Sequence, residues 1–319
     1  MNPFSNLFKR HGAQDSPALR AAIARSVAAV EPLLIQAGGY PDRYRKPVCA
    51  ALEYANRLAA GIPGPVMIDH ESYAHDAFVH ALFPDINSIA EAISSSLALQ
   101  ENRHLFPPDT DLYALMGMRR VEKKVMGMEL AGQTVQRDVV QQAIYFTSHT
   151  IDHPSISESQ ARELIAMGFF DSLAGKVKKR IDQRKQDKMA LMTEKDMLMS
   201  QLRTSNDRDR PALEKQLAAL MDKLQTTAAS LELRNYTADF EAVLLRPEKY
   251  LHMDQTPIVL DSMGIRRTSG DTERGKAIIF NELIGYDRRD WTVTLVRLIN
   301  LQNESFADKL EKAYRRLAL

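Results

Sequence analysis

Apolar residues between Ile156 and Arg246 recur at heptad spacing with one interruption, at Thr204–Arg210, and this pattern predicts two long helices folded back on each other. The first arm opens at Ser155-Ile156-Ser157-Glu158, a capping box in which serine accepts from an early helix N–H and glutamate reaches back to the cap. From Glu158 to Leu202 only Gly168 and Gly175 weaken the helix, so the arm could approach ~70 Å at the usual helical rise. Pro211 suits a first helical turn. Leu213, Leu217, Leu220, Leu224, Thr227 and Leu231 then alternate steps of four and three, as a coiled-coil seam requires. Pro247 marks the end of the second arm.

Folding about Asn206-Asp207 sets Leu198 opposite Leu217 and Ile181 opposite Leu231 or Leu233. It also sets Leu173 opposite Phe240, and Phe169/Phe170 opposite Val243/Leu244. The competing arrangement is a parallel dimer. The hairpin is preferred because Arg184, Lys188 and Lys195 fall at core-like positions of the first arm, leaving it a poor seam by itself. Met189, Met192, Met197 and Met199 are expected in or beside the seam, although methionine also suits an adaptable binding surface.

The rest of the chain predicts an α+β protein, mainly α. Residues 17–108 form a helical domain, a bundle of four helices: one carries Leu19, Ile23, Val27 and Val30 and bends at Pro32, a second runs through Val48–Ala59, a third through Ser72–Leu82, and a fourth carries Ile86, Ile89, Ile93 and Leu97. A short helix is expected over Asp111–Arg119, then strands over Lys124–Leu130 and Val135–Thr147. Strand signals return at Pro257–Arg267, Lys276–Ile284 and Trp291–Leu298, with a turn at Gly285–Asp290 and an amphipathic helix at Ser305–Leu317. The expected organisation is a flexible tail over 1–16, the helical domain, a small antiparallel β unit from 109–154 and 247–304, the coiled-coil hairpin over 155–246 inserted into it as an arm, and a C-terminal helix over 305–319.

The chain has 319 residues, 45% hydrophobic and 26% charged, with net charge +1. That is a globular composition with no global field to recruit nucleic acid or membranes. A single cysteine, Cys49, excludes an internal disulfide and points to a reducing, cytoplasmic setting. No apolar run reaches the length of a membrane span.

Candidate chemistry is thin. Gly270-Asp271-Thr272-Glu273-Arg274-Gly275-Lys276-Ala277 has P-loop spacing, but alanine replaces the magnesium-binding hydroxyl and a strand is expected to follow. Asp69, His70, Glu71, His75, Asp76 and His80 are dense in ligand types, but His70, His75 and His80 are five apart and rotate around a helix. His149 and His153 share the face of an extended segment ~13 Å apart, too far for one metal. Cys49 sits in an apolar helix face as a small hydrophobe. No residue is assigned to a catalytic step, a cofactor or a metal.

Basic clusters offer an alternative. Lys178, Lys179 and Arg180 on the first arm, with Arg266, Arg267, Arg288 and Arg289 at strand ends, could form a polyanion- or nucleic-acid-binding patch at the base of the arm. Solvated helix faces and strand-edge charges are the plainer explanation. The leading expectation is a non-enzymatic interaction or scaffold protein that binds a protein partner, or itself, through residues 176–235. An enzyme whose site forms from dispersed residues is the remaining alternative.

Overall fold

The computed structural model describes residues 16–107, 110–131, 134–267, 275–285 and 290–299. Most of the expected tail, residues 270–274, the turn at 286–289 with Arg288 and Arg289, and the final helix lie outside the described residues. In chain order the elements are α1 Pro17–Val30, α2 Arg45–Ala60, β1 Val66–Ile68, α3 His70–His75, α4 Ala77–Leu82, α5 Ile86–Ser95, α6 Leu97–Asn102, β2 Leu112–Ala131, β3 Thr134–Ser155, α7 Glu158–Thr204, α8 Arg210–Ser230, α9 Leu233–Leu245, β4 Leu251–Leu260, β5 Arg266–Arg267, β6 Lys276–Gly285 and β7 Asp290–Leu298. The protein thus mixes helix with a mainly antiparallel sheet. It divides into two compact units, Met1–Ala55 with Met167–Tyr250, and Asn56–Ala166 with Leu251–Leu319. The division falls inside α2 and α7.

The second unit is built on one sheet in the order β3-β2-β7-β6-β4-β5, antiparallel along that path, with β1 added parallel to β7. Strands far apart in sequence pair directly: Leu112 faces Leu298 and Met118 faces Thr292. The sheet then closes on itself. Ile144 N donates to Gly264 O at 2.8 Å, and Ala143 bridges to Ile265 just before β5. Met116, Met118, Phe146, Ile258, Ile278 and Phe280 are buried in one cluster with Val79, Leu82, Ile89 and Leu99 from α4, α5 and α6 and with Phe83 just after α4. Phe280 lies 5.0 Å from Phe146 and 5.8 Å from Phe78, between ring centroids.

Several elements differ from the sequence expectation. No bundle spans 17–108; α4, α5 and α6 lie against the sheet. The helix expected over Asp111–Arg119 is absent: from Leu112 onward this stretch is the first part of β2, in which Leu112, Ala114, Met116 and Met118 are buried with period two. Its Leu, Met and Ala residues favour helix intrinsically, and sheet packing overrides that preference. The strand expected over Pro257–Arg267 breaks after Leu260, where a tight loop intervenes. The helices expected over 72–82 and 86–97 are each split. Asp76 accepts from Phe78 N at 2.8 Å, and Ser96 accepts from Leu99 N at 3.2 Å while its hydroxyl donates to Ile151 O at 2.8 Å. A short polar side chain that caps a new helix competes with continuing the old one. The cap of α7 is Ser157, not Ser155: Ser157 Oγ accepts from Gln160 N at 3.3 Å.

The first unit packs α1, the start of α2, α9 and the near part of α7. Ile23, Val27, Leu34, Phe170, Leu173, Val177, Phe240, Val243 and Leu244 are buried there. Tyr44 meets Phe240 edge-on at 4.9 Å and donates its hydroxyl to Leu34 O at 3.1 Å. Ion pairs rim this core: Lys185 with the buried Glu31 at 2.5 Å, Arg43 with Glu241 at 2.5 Å, and Arg184 with Asp239 at 2.6 Å. The expected second arm is interrupted. α8 stops at Ser230, whose hydroxyl bonds back to Thr227 O at 2.7 Å, while Asn235 Nδ2 donates to Ala229 O at 2.8 Å and α9 begins afresh.

Gly264 carries a positive φ of 73°, and a Cβ there would lie 2.9 Å from Ile144 O. Gly264→Ala should therefore cost about 1–3 kcal/mol through left-handed strain and displacement of the closing bond. Urea denaturation of the second unit checks this; an unchanged midpoint would refute the role given to that contact.

Candidate functional site

The second unit carries a cleft of about 740 Å3 where α3 and α4 approach β3, β4 and the loop Asp261–Gly264. His75, His80, Phe83, Tyr145 and Lys276 contribute to its walls. The loop is held from within. Asp261 Oδ1 accepts from Met263 N and Ile265 N, each at 2.9 Å, and Oδ2 accepts from Arg267 at 2.7 and 3.0 Å. Sequence reasoning missed this loop. The available signal was an aspartate three residues before a glycine between two apolar runs, a combination that makes Asx-type turns.

The titratable groups of the cleft are largely engaged in the fold. Asp76 caps α4. His80 Nε2 lies 3.1 Å from Ser262 O, and its ring lies 4.8 Å from that of Tyr73. The hydrogen bonds among the described lining residues join no nucleophile to a base. Asp69 accepts from Ser72 N at 2.7 Å, so two acids of the ligand-dense segment are helix caps. Among the described residues no group of three or more His, Cys, Asp or Glu is placed to hold a metal. Cys49 donates to Glu53 within α2, and burial pushes its thiol pKa up.

The candidate cations divide between the units. Lys178 pairs with Asp182 at 3.9 Å, and Arg180 reaches Asp239 at 3.7 Å and stacks 5.0 Å from the Tyr250 ring centroid. Lys179 is exposed. In the second unit Arg266 reaches Glu122 at 4.0 Å, and Arg267 is clamped on Asp261. Arg288 and Arg289 lie outside the described residues. Four of the described candidates thus already hold carboxylates, which reduces the charge they offer to a polyanion.

The far part of α7, with α8, is the other notable surface. Between Asp182 and Leu231 only Leu220 is buried. Half-buried positions recur at Arg184, Lys188, Leu191, Lys195, Leu198 and Leu202 on α7, and at Leu213, Leu217, Leu224 and Thr227 on α8. Met189, Met192, Met197 and Met199, expected in or beside the seam, fall outside that series at positions adjoining it, and are exposed. Arg184, Lys188 and Lys195 occupy the half-buried series because long basic side chains bury their stems and keep their charge in water.

No family model, curated protein or solved structure matches this chain. No helix among the described residues is long and apolar enough to cross a membrane.

His149 is the clearest titratable group outside the cleft. Its Nε2 lies 2.8 Å from Leu82 O, and its ring stacks on Phe83 at 4.8 Å. Burial depresses its pKa below the usual 6.5, the bond to Leu82 opposing this only in part. The folded state therefore takes up the proton less readily than the unfolded chain. The contribution of neutral His149 is present above pH 6.5 and is lost as pH falls from there through the folded-state pKa. Thermal unfolding between about pH 7 and pH 5 should show a smaller decline for His149→Phe than for the parent protein; equal declines would reject the assignment.

Proposed function

We propose that this protein is a non-enzymatic interaction or scaffold protein whose far α7 and α8 segments form an antiparallel coiled-coil arm that docks a protein partner or a second copy. The observation that carries this reading is the single half-buried stripe on each helix. It advances in alternating steps of three and four along α7 and again along α8. A stripe of that period is the signature of two helices sharing one narrow seam. A helix inside a globular core would bury a wider face. The contact between Arg184 and Ser230 O, at 3.4 Å, falls within a residue of the register that folding about Asn206-Asp207 demands.

Chemistry favours an interaction role for what remains outside the seam. Methionine is flexible and polarisable, and exposed methionines accommodate varied apolar partners. The arm's seam accounts for the leucines of α8 but leaves Met189, Met192, Met197, Met199 and Met221 in water. The cleft of the second unit supports an enzyme reading less well, since its acids are engaged in capping and turn formation.

Replacing Lys188–Leu224 with a short turn tests the proposal. The expected product is a folded protein, with the thermal transition of the rest retained, that no longer self-associates or captures its partner. A shortened protein that keeps every interaction of the parent would reject the arm as the docking element.

A further inference from the structure

We propose that the far end of the β2–β3 ribbon is a docking site for an anionic lipid surface. From Lys124 and Gln142 outward, β2 and β3 pair only with each other among the described residues. This free part runs roughly 25 Å to Ala131 at the usual strand rise. A two-stranded ribbon is marginally stable in water by itself and gains from cover on one face. The register shows which face lacks it. Met126 stands opposite Val140, and Leu130 opposite Val135, so by alternation Met126, Met128, Val135 and Val140 share one face. The two valines are five residues apart, a spacing that sets residues of a regular strand on opposite faces. A bulge brings them to the same side: β3 has Arg137 and Asp138 where β2 has Met128 alone, and Asp138 takes a left-handed φ of 60°. Met126, Met128, Val135 and Val140 are 67%, 65%, 56% and 61% exposed. On the other face the Gln141 side chain lies over Gly127 and donates Nε2 to Met128 O at 3.1 Å. By register that face also takes Lys123, Glu129 and Gln136.

Charge and size together select the occupant. Glu122, on the methionine face nearer the sheet, is tied to Arg120 at 3.3 Å and accepts from Gln142 Nε2. Arg137 and Asp138 offset each other at the bulge. Lys124, two positions before Met126 on the same face, is exposed and has no carboxylate partner among the described residues. The uncommitted charge beside the four apolar side chains is therefore cationic. Apolar side chains beside lysine are what attaches a surface element to anionic lipid. The face offers roughly a few hundred Å2, against about 800 Å2 per partner in a standard protein interface, too little to hold a second copy or a foreign protein by itself. A bilayer surface needs no shape match, and residues 130–136 around the ribbon's end carry no charge to keep from it. The ribbon rests in the headgroup layer and does not cross it, since its unpaired strand edges must stay hydrated.

Flotation of the full-length chain with vesicles of phosphatidylcholine alone, and of phosphatidylcholine mixed with phosphatidylserine, tests this. The parent protein should bind the mixed vesicles and hold the neutral ones more weakly. Met126→Asp with Val140→Asp should weaken binding to the mixed vesicles on the order of a hundredfold, by setting carboxylates in an apolar contact. Lys124→Ala should weaken it about fivefold and leave binding to neutral vesicles unchanged. Leu97→Asp, at an exposed apolar position on α6, should change neither. Thermal unfolding should match the parent in all three. A parent protein that binds neither vesicle overturns the lipid assignment. Binding that survives the paired Met126 and Val140 substitutions overturns the ribbon as its site. Equal binding to both vesicles, or mixed-vesicle binding that Lys124→Ala leaves unchanged, overturns the anionic headgroup. A parent dimer that light scattering shows to be dissociated by the paired substitutions gives the face to a second copy and overturns the lipid surface as its occupant.

Discussion

Closure of the sheet between β3 and the loop ahead of β5 is the constraint on which the second unit depends. An open sheet of this order would leave β3 and β5 as unpaired edges. The bond from Ile144 N to Gly264 O joins them, and it requires a loop of one shape. Asp261 supplies that shape by holding Met263 N and Ile265 N with one oxygen and Arg267 with the other. Gly264 makes it sterically feasible, since its backbone is left-handed and its missing Cβ lets Ile144 O approach. The same loop forms a wall of the cleft, so the geometry of closure and the geometry of the cleft are set by one carboxylate.

The first unit shows a gradient along a single helix. From Phe169 to Ile181, α7 is packed on every turn, and ion pairs to Glu31 and Asp239 fix its last packed turns. Past Lys185 burial falls away, and the helix is covered on one stripe only. Apolar burial supplies most of the stability of a helix in water, so the far segment owes much of its order to continuity with the packed half. Segments of low contact density are where binding surfaces are commonly drawn from.

Local competition between side chains and backbone decided where helices ended. Asp76, Ser96, Ser157 and Ser230 each divert a hydrogen bond at an element boundary. Apolar spacing passes over such residues, since one polar position hardly alters a helical pattern. Their effect depends on whether the next backbone N–H is free to be capped, and that follows from packing.

The sequence by itself determined the long helix, its turn near Asn206, the later helix past Pro211 and most of the strands, because those signals are periodic and local. It also singled out the four methionines of the first arm, without deciding between a place in the seam and one beside it. Only the tertiary structure decided that residues 112–119 are strand, that α4, α5 and α6 cover a sheet, and that a loop at Asp261 closes it. Each of these depends on partners more than a hundred residues away or on which face of an element finds an apolar neighbour. Leu112 becomes strand because Leu298 stands opposite it, and no window around Leu112 contains that fact. The cleft was unreadable for the same reason: His75, Tyr145, Ser262 and Lys276 come from four separate stretches of chain, gathered by the order of the strands alone.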